Sequence, residues 1–426
     1  MSKLINLLKS DIGKIFSGNL VIQGSTLLQA VILSRILGPQ GKGEFIEIIL
    51  WPTIVSGFSI LGLYTGLAKL CAKDKLYNHW NFAKASLIST LIVGSLGTLL
   101  CMIISPQLVS NVGEIKKLAV FFSFFVIVNN VARGFIAIDH GRKQFTKYSI
   151  TRAILNPIFF FLLSILYCFN AINLSTVIYS FFCANLLVAL IRVFYSLRDE
   201  SSKKSIFPIR KLFRYSLKYS VSDFSEPIYA YYDKAILALV LTSYDLGLYT
   251  TAYSSAGIIT VISNVYGTKI FSDLASGTSP DSIMRALRYN SFLMIILSIG
   301  LSLLLPYLIP IVFGEKFEGA ILPSIILTVT CLLQGESYIV ERGLLGMGCP
   351  YAGVRAKIVS MITMAVACLG LGAMGFINIY VMIIITTICQ LGYFLTLICA
   401  FKTSSGVGVS LIPTIEDIKY LLRRMI

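Results

Sequence analysis

Four ionisable residues fall along one otherwise apolar run: Asp223, Glu226, Asp233 and Lys234. At about 100° per residue of a helix they occupy an arc of about 100°, a single stripe. A charge held at mid-bilayer costs roughly 2.5 to 3.5 kcal/mol. A stripe of four must therefore face protein or water rather than lipid. Asn19, Gln23, Thr26 and Gln29 form a milder version, covering about 120° of the first apolar run. Carboxylates, amides and one ammonium on such faces can hydrogen-bond sugar hydroxyls, hold a phosphate or carry a coupling cation. They can also simply neutralise each other and fix helix packing, and Asp223 can reach the headgroup level. Pro227 follows Glu226 and removes a backbone donor, so a bend is expected there, as a gating hinge or a packing kink.

Weaker candidates lie elsewhere. Glu336 sits about a turn inside the tenth run, and Arg133, beside Asn129 and Asn130, lies within the fourth. Arg133 can receive an anionic headgroup or snorkel to the interface without further role, and Arg35 faces the same choice at the outer end of the first run. Nothing points to nucleotide or metal chemistry. Gly38 to Gly43 reads GPQGKG and lacks the spacing of a phosphate loop. The nine cysteines lie mostly in apolar runs without metal-ligand spacing, so no metal is expected. No cofactor is expected either, H+ or Na+ coupling apart, and His79 and His140 fall in loops.

The elements that must position these residues follow from composition. Hydrophobic residues make up 56% of the 426 and charged residues only 13%, against roughly 25% charged in soluble domains. The expected fold class is therefore an all-α integral membrane protein. Apolar runs of spanning length are expected at 15–37, 44–68, 82–105, 118–138, 150–169, 171–195, 215–241, 246–270, 289–312, 320–340, 357–376 and 378–400, about twelve transmembrane helices in all. The net charge of +16 indicates orientation rather than a nucleic-acid partner. On this map 30 of the 36 Lys and Arg fall on one side and only Arg35, Lys42, Lys116, Lys117 and Lys316 on the other. That asymmetry places both termini in the cytoplasm. The first run lacks a small-residue cleavage site and is expected to be retained. The ends, Leu4/Leu8/Ile12/Ile15 and Ile415/Ile418/Leu422/Met425, have the spacing of amphipathic helices on the membrane surface.

A duplication is also legible. With an offset of 204, Ile32, Leu33, Leu37, Gly43 and Phe45 fall on Ile236, Leu237, Leu241, Gly247 and Tyr249, and Asn19 and Gln29 fall on Asp223 and Asp233. Turns near Asn170 and Asn378 sit at nearly the same spacing. Two six-helix bundles, pseudo-symmetric about a central cavity, are expected: 1–200 and 215–401, with a basic cytoplasmic linker at 201–214 and a cytoplasmic amphipathic tail at 402–426.

The segment LSRILGPQGKGEF (33–45) resembles the R-x-L-G-P-x-G-x-G-x-F signature of polysaccharide flippases in the multidrug/oligosaccharidyl-lipid/polysaccharide exporter superfamily. YYDKAILALVLTSYDLGLYTTAY (231–253), IVFGEKFEGAILP (311–323) and ERGLLGMGCPYAG (341–353) add looser similarity along nearly the whole chain. GLGAMGFINIYV departs from the alanine-rich form usual late in the second half and leaves the subgroup open.

The resemblance implies an O-antigen-type flippase of the bacterial inner membrane. Such a protein moves an undecaprenyl-diphosphate-linked oligosaccharide from the cytoplasmic to the periplasmic leaflet by alternating access, in company with a polysaccharide polymerase and a chain-length regulator. It further implies that Lys234, Arg35 and Arg133 meet the diphosphate at successive depths. Asn19, Gln23, Gln29, Glu226 and Asp233 would meet sugar hydroxyls or a coupling cation, and Asp223, Glu226 and Glu336 are the acids for ion coupling. Two alternatives remain at this stage. One is a cation-coupled multidrug antiporter of the same superfamily. The other is a polysaccharide polymerase or ligase, which usually carries a large outer loop, whereas no outside connection here exceeds about a dozen residues on the span map.

Overall fold

The computed structural model describes residues 11–73, 79–109, 112–198, 207–275, 281–373 and 375–406. The amphipathic ends lie mostly outside them, as do residues 201–206 of the linker and the side chains of Asn19, Gln23 and Glu226.

Every described element is helical. The first is α1 (Asp11–Ser59), two helical arms joined at Gly38, whose φ of 67° turns the chain just before Pro39. A left-handed φ is readily adopted only by glycine. Then follow α2 (Leu63–Lys73), α3 (His79–Leu108), α4 (Gly113–Phe122), α5 (Phe125–Gly141), α6 (Phe145–Ala153), α7 (Leu155–Cys168) and α8 (Leu174–Leu197). A short amphipathic α9 (Ile209–Ser216) leads into α10 (Ser220–Val240). The remainder is α11 (Ser243–Ala256), α12 (Thr260–Ala275), α13 (Asp281–Phe313), α14 (Ile321–Gly346), α15 (Pro350–Ala373) and α16 (Ile379–Ser405).

Eight helical segments among the described residues are long and apolar enough to cross a bilayer, or nine if the bent pair 24–59 and 63–73 is one span. The all-α membrane fold is therefore as expected, whereas the count of twelve stays an expectation. The physical reasons are local. Asp223, Glu226, Asp233 and Lys234 put four charges into α10. The eighth expected run is interrupted by a 3-10 turn at Gly257–Ile259. The second is broken between Ser59 and Leu63, where Leu61 and Gly62 take φ of 49° and 74°.

Contacts divide the chain into two compact units, Met1–Leu239 and Val240–Ile426, so that all but the last residue of α10 belongs with the first. Association of helices within lipid relies on close packing at small residues rather than on the hydrophobic effect. In the first unit, a methyl group on Gly97 of α3 would lie 2.6 Å from Ser59 Cβ, and one on Gly134 of α5 would lie 2.5 Å from Ser86 Oγ. In the second unit, Gly335 of α14 meets Ser263 in the same way at 2.4 Å. Large apolar side chains point outward instead, Leu303 at 70% and Leu369 at 77% exposure. Such surfaces suit lipid and not water.

The two turns singled out from the sequence have matching construction. Asn170 takes φ 50° and Asn173 caps α8 by accepting from Thr176 N at 2.8 Å. Gly375 takes φ 72° and Asn378 caps α16 by accepting from Val381 N at 3.0 Å.

Candidate functional site

The polar stripe on α10 does not act as one group. Its N-terminal end is built into the break in the second span. Because Leu61 and Gly62 stop the helix, α2 begins afresh at Leu63 and its first-turn N–H groups need acceptors. Asp223 supplies one for Thr65: Oδ2 accepts from Thr65 N at 3.1 Å and Oδ1 from the Thr65 hydroxyl at 2.5 Å. A carboxylate at a helix N-terminus is further favoured by the peptide dipoles. The surroundings leave no slack. A Cβ on Gly62 would stand 2.2 Å from the Ser216 carbonyl of α9, and one on Gly57 would stand 2.8 Å from the ring of Pro227. Phe58 and Phe224 close the same seam with ring centroids 5.6 Å apart.

Arg133 projects from α5 into this neighbourhood. Its guanidinium lies 5.9 Å from the Tyr64 ring centroid, and Asp223, Tyr64 and Tyr231 are its electrostatic neighbours. One turn earlier, Asn129 and Asn130 donate to the Ser56 and Ser59 hydroxyls of α1, each at 2.7 Å. Tyr231 connects this group to the next: Lys234 Nζ lies 5.9 Å from its ring centroid and 3.5 Å from Asp233 Oδ1. The structure thus brings Arg133, Asp223, Asp233 and Lys234 into one tyrosine-lined polar region of the first unit. Asn19 and Gln23 lie on α1 and Glu226 on α10, with side chains outside the described ones, and Gln29 is half-buried on α1.

Arg35 stands apart. It is exposed near the end of the first arm of α1 and lines a cavity of about 720 Å³ that includes none of the other candidates. Glu336 is in the second unit, 2% exposed. Its Oε1 accepts from Asn290 Nδ2 at 2.8 Å, and Asn290 Oδ1 accepts from the Ser263 hydroxyl at 3.1 Å. Oε2 is buried without a hydrogen-bond partner among the described residues.

Several buried charges were not singled out in the sequence. Arg192 of α8, counted above with the cytoplasmic cations, is 5% exposed and donates to the carbonyls of Ala132, at 3.1 Å, and Thr151. Asp139 is its buried electrostatic neighbour. A lone cation inside the apolar stretch LLVALIRVF was the available signal. Lys42, assigned above to an outside loop, is 3% exposed and donates to Ser34 Oγ at 2.8 Å, tying together the two arms of α1 across Gly38. In the second unit Lys357 pairs with Glu341 Oε1 at 2.8 Å, while Tyr393 donates to Glu341 Oε2 at 3.0 Å.

Cations, acids, amides and tyrosines held inside helices of membrane-spanning character can bind a polar, anionic group and shield it from hydrocarbon. A family profile described as polysaccharide biosynthesis protein matches residues 8–271, including the 33–45 and 231–253 segments. The chain belongs to the polysaccharide biosynthesis protein family. The resemblance read from LSRILGPQGKGEF is therefore borne out. This member is 24% identical over 370 residues to a probable low-salt glycan biosynthesis flippase of Haloferax volcanii, covering 84% of the chain and 76% of that relative. Among solved structures it is similar to the lipid II flippase MurJ in an inward closed conformation, with a TM-score of 0.75, 15% identity, and coverage of 96% of this chain and 90% of that one. It is also similar to an inward-facing multidrug resistance transporter of the same superfamily, with a TM-score of 0.66, 15% identity, and coverage of 90% and 95%. At such identities the likeness shows the fold alone.

Proposed function

We propose that this family member is a flippase for a lipid-linked glycan, translocating an undecaprenyl-diphosphate-linked oligosaccharide of the O-antigen type from the cytoplasmic to the periplasmic leaflet of an inner membrane. The carrying observation is the placement of Arg133 and Lys234 beside Tyr64 and Tyr231 in one unit. A guanidinium matches phosphate oxygens bidentately, and tyrosine rings with amides suit sugar faces and hydroxyls. Family membership and the named glycan flippase among its relatives support the same reading. A soluble headgroup cannot cross hydrocarbon, whereas its lipid tail can remain there, so a polar route inside the helices is what the task requires. Alternating access of the two bundles would supply it.

Coupling to H+ or Na+ belongs to this proposal, with Glu336 as the foremost acid, because Asp223 already serves Thr65 through both oxygens. A polysaccharide polymerase and a chain-length regulator are the partners expected of such a pathway, and the charge asymmetry supports a cytoplasmic position for both termini.

The test is glycan export in cells lacking their own flippase. Lys234→Ala is expected to abolish surface glycan while the protein remains at wild-type level in the membrane. Full export by the variant would remove Lys234 from the route.

A further inference from the structure

The cavity around Arg35 lies wholly within the first unit, between α1 and α7, and Arg35 is the one ionic side chain among its described lining residues. Its walls are Ile32, Ile36, Phe160, Leu163 and Ile172. Its polar atoms come from Arg35, from Ser164 and Tyr167 of α7, and from Asn170 in the turn that follows. By the charge asymmetry this turn is on the outer face of the membrane. Tyr167 and Phe169 stand out at 69% and 78% exposure, as aromatic residues do at the headgroup level. The cavity therefore opens where an outer-leaflet lipid carries its phosphate.

Its chemistry is divided. A water-soluble anion would match the Arg35 guanidinium in charge and leave the isoleucine and phenylalanine walls wetted; a neutral acyl chain would do the reverse. A lipid phosphate satisfies both, with the guanidinium bidentate on phosphate oxygens and the chain along Ile32, Ile36 and Phe160. The volume is that of a small-molecule pocket, sufficient for a phosphate head and the nearest part of one chain rather than for a whole two-chain phospholipid. Ser164 already donates to the Phe160 carbonyl at 2.9 Å, which keeps that hydroxyl from competing with Arg35 as a donor to the ligand.

We infer that this cavity is a release-side station for the lipid carrier: Arg35 holds the phosphate of a single-chain isoprenoid lipid in the outer leaflet while its chain lies in the slot between α1 and α7. The station rests on the flippase reading for its place in the cycle, though not for the binding itself. It is spatially separate from the Arg133 group, which shares no lining residue with it.

Cys168 lines the same cavity and is exposed, so it reports occupancy. The full-length protein is placed in phosphatidylethanolamine nanodiscs, treated with a membrane-permeant maleimide, and the modification of Cys168 is followed by peptide mass spectrometry. Undecaprenyl phosphate, the probe used, is expected to protect Cys168 in the wild type. In Arg35→Gln the half-protecting concentration should rise by about tenfold or more, the equivalent of a lost charged hydrogen bond. Ile36→Trp, which fills the slot and keeps the arginine, should also lose protection. Equal protection by phosphatidylglycerol would overturn the assignment in favour of a general anionic-lipid site, and absence of protection in the wild type would overturn it altogether. The two readings fail separately: protection of Cys168 with no glycan export leaves the station and removes the flippase, while export without protection does the opposite.

Discussion

Asp223 and Thr65, 158 residues apart in sequence, are joined by two hydrogen bonds that use both oxygens of one carboxylate. Through them α10 holds the start of α2, and the interrupted second span keeps its new N-terminus satisfied inside the bundle. An acid that sequence pattern offers as an ion-coupling group is thus engaged in positioning the helix from which Tyr64 reaches Arg133.

Removing that acceptor should be expensive. Asp223→Ala leaves the half-buried Thr65 amide and hydroxyl without their partner, and a loss of about 1.5 to 3 kcal/mol is expected for charged hydrogen bonds of this kind. Asp223→Asn keeps one carbonyl oxygen and should lose less. Thermal unfolding in detergent, followed for both variants, checks the order. Equal midpoints for Asp223→Ala and wild type would contradict the capping role.

The break in the second span makes a steric prediction. Gly62→Ala places a methyl group against the Ser216 carbonyl and adds strain at a φ of 74°, so folded protein should fall sharply in the membrane fraction. Gly370→Ala, where nothing lies within 4 Å, should accumulate normally. Fluorescence-detected size exclusion of tagged variants measures both.

Arg192 predicts a coupled effect. Arg192→Ala leaves the carbonyls of Ala132 and Thr151 without their donor and removes one of the two cations, the other being Lys147, that act on buried Asp139, so destabilisation of about 1.5 to 3 kcal/mol is expected. Adding Asp139→Asn should restore part of it. Additive losses in the double variant would show that the two residues do not interact.

Glu336 separates coupling from packing. Glu336→Gln retains an acceptor for Asn290 but cannot exchange a proton or hold a cation by charge. Its membrane level is expected to match the wild type while glycan export falls to background. Undiminished export would leave Glu336 as a packing residue.

What could be read from the sequence follows from what is local. Composition and charge asymmetry suffice for an all-helical membrane chain, and the i, i+3 spacing on α10 suffices to mark a face that lipid cannot cover. The turns at Asn170 and Asn378 were legible because their caps lie within a few residues. The span break was not, since GFSILGLYTG carries no charge and Gly62 reads as an ordinary membrane glycine until Ser216 is packed upon it. The engagement of Asp223 was hidden for the same reason: its partner is distant in sequence. Lys42 looked like a loop cation because Gly38 and Pro39 suggest a turn, yet the second arm of α1 folds it onto Ser34. Arg192 was counted with the linker beside it, and only the carbonyls it meets show that it is interior.

In the proposed function Arg133 receives the phosphate of a lipid-linked glycan inside the first unit. Purified protein reconstituted in liposomes with a lipid-linked oligosaccharide, and a glycan-cleaving enzyme supplied outside, measures how fast the headgroup changes leaflet. Wild-type protein is expected to expose the inner pool to cleavage and Arg133→Ala to leave it protected, with Arg133→Lys intermediate. Translocation by Arg133→Ala at the wild-type rate, or wild-type vesicles no faster than protein-free ones, would contradict the account.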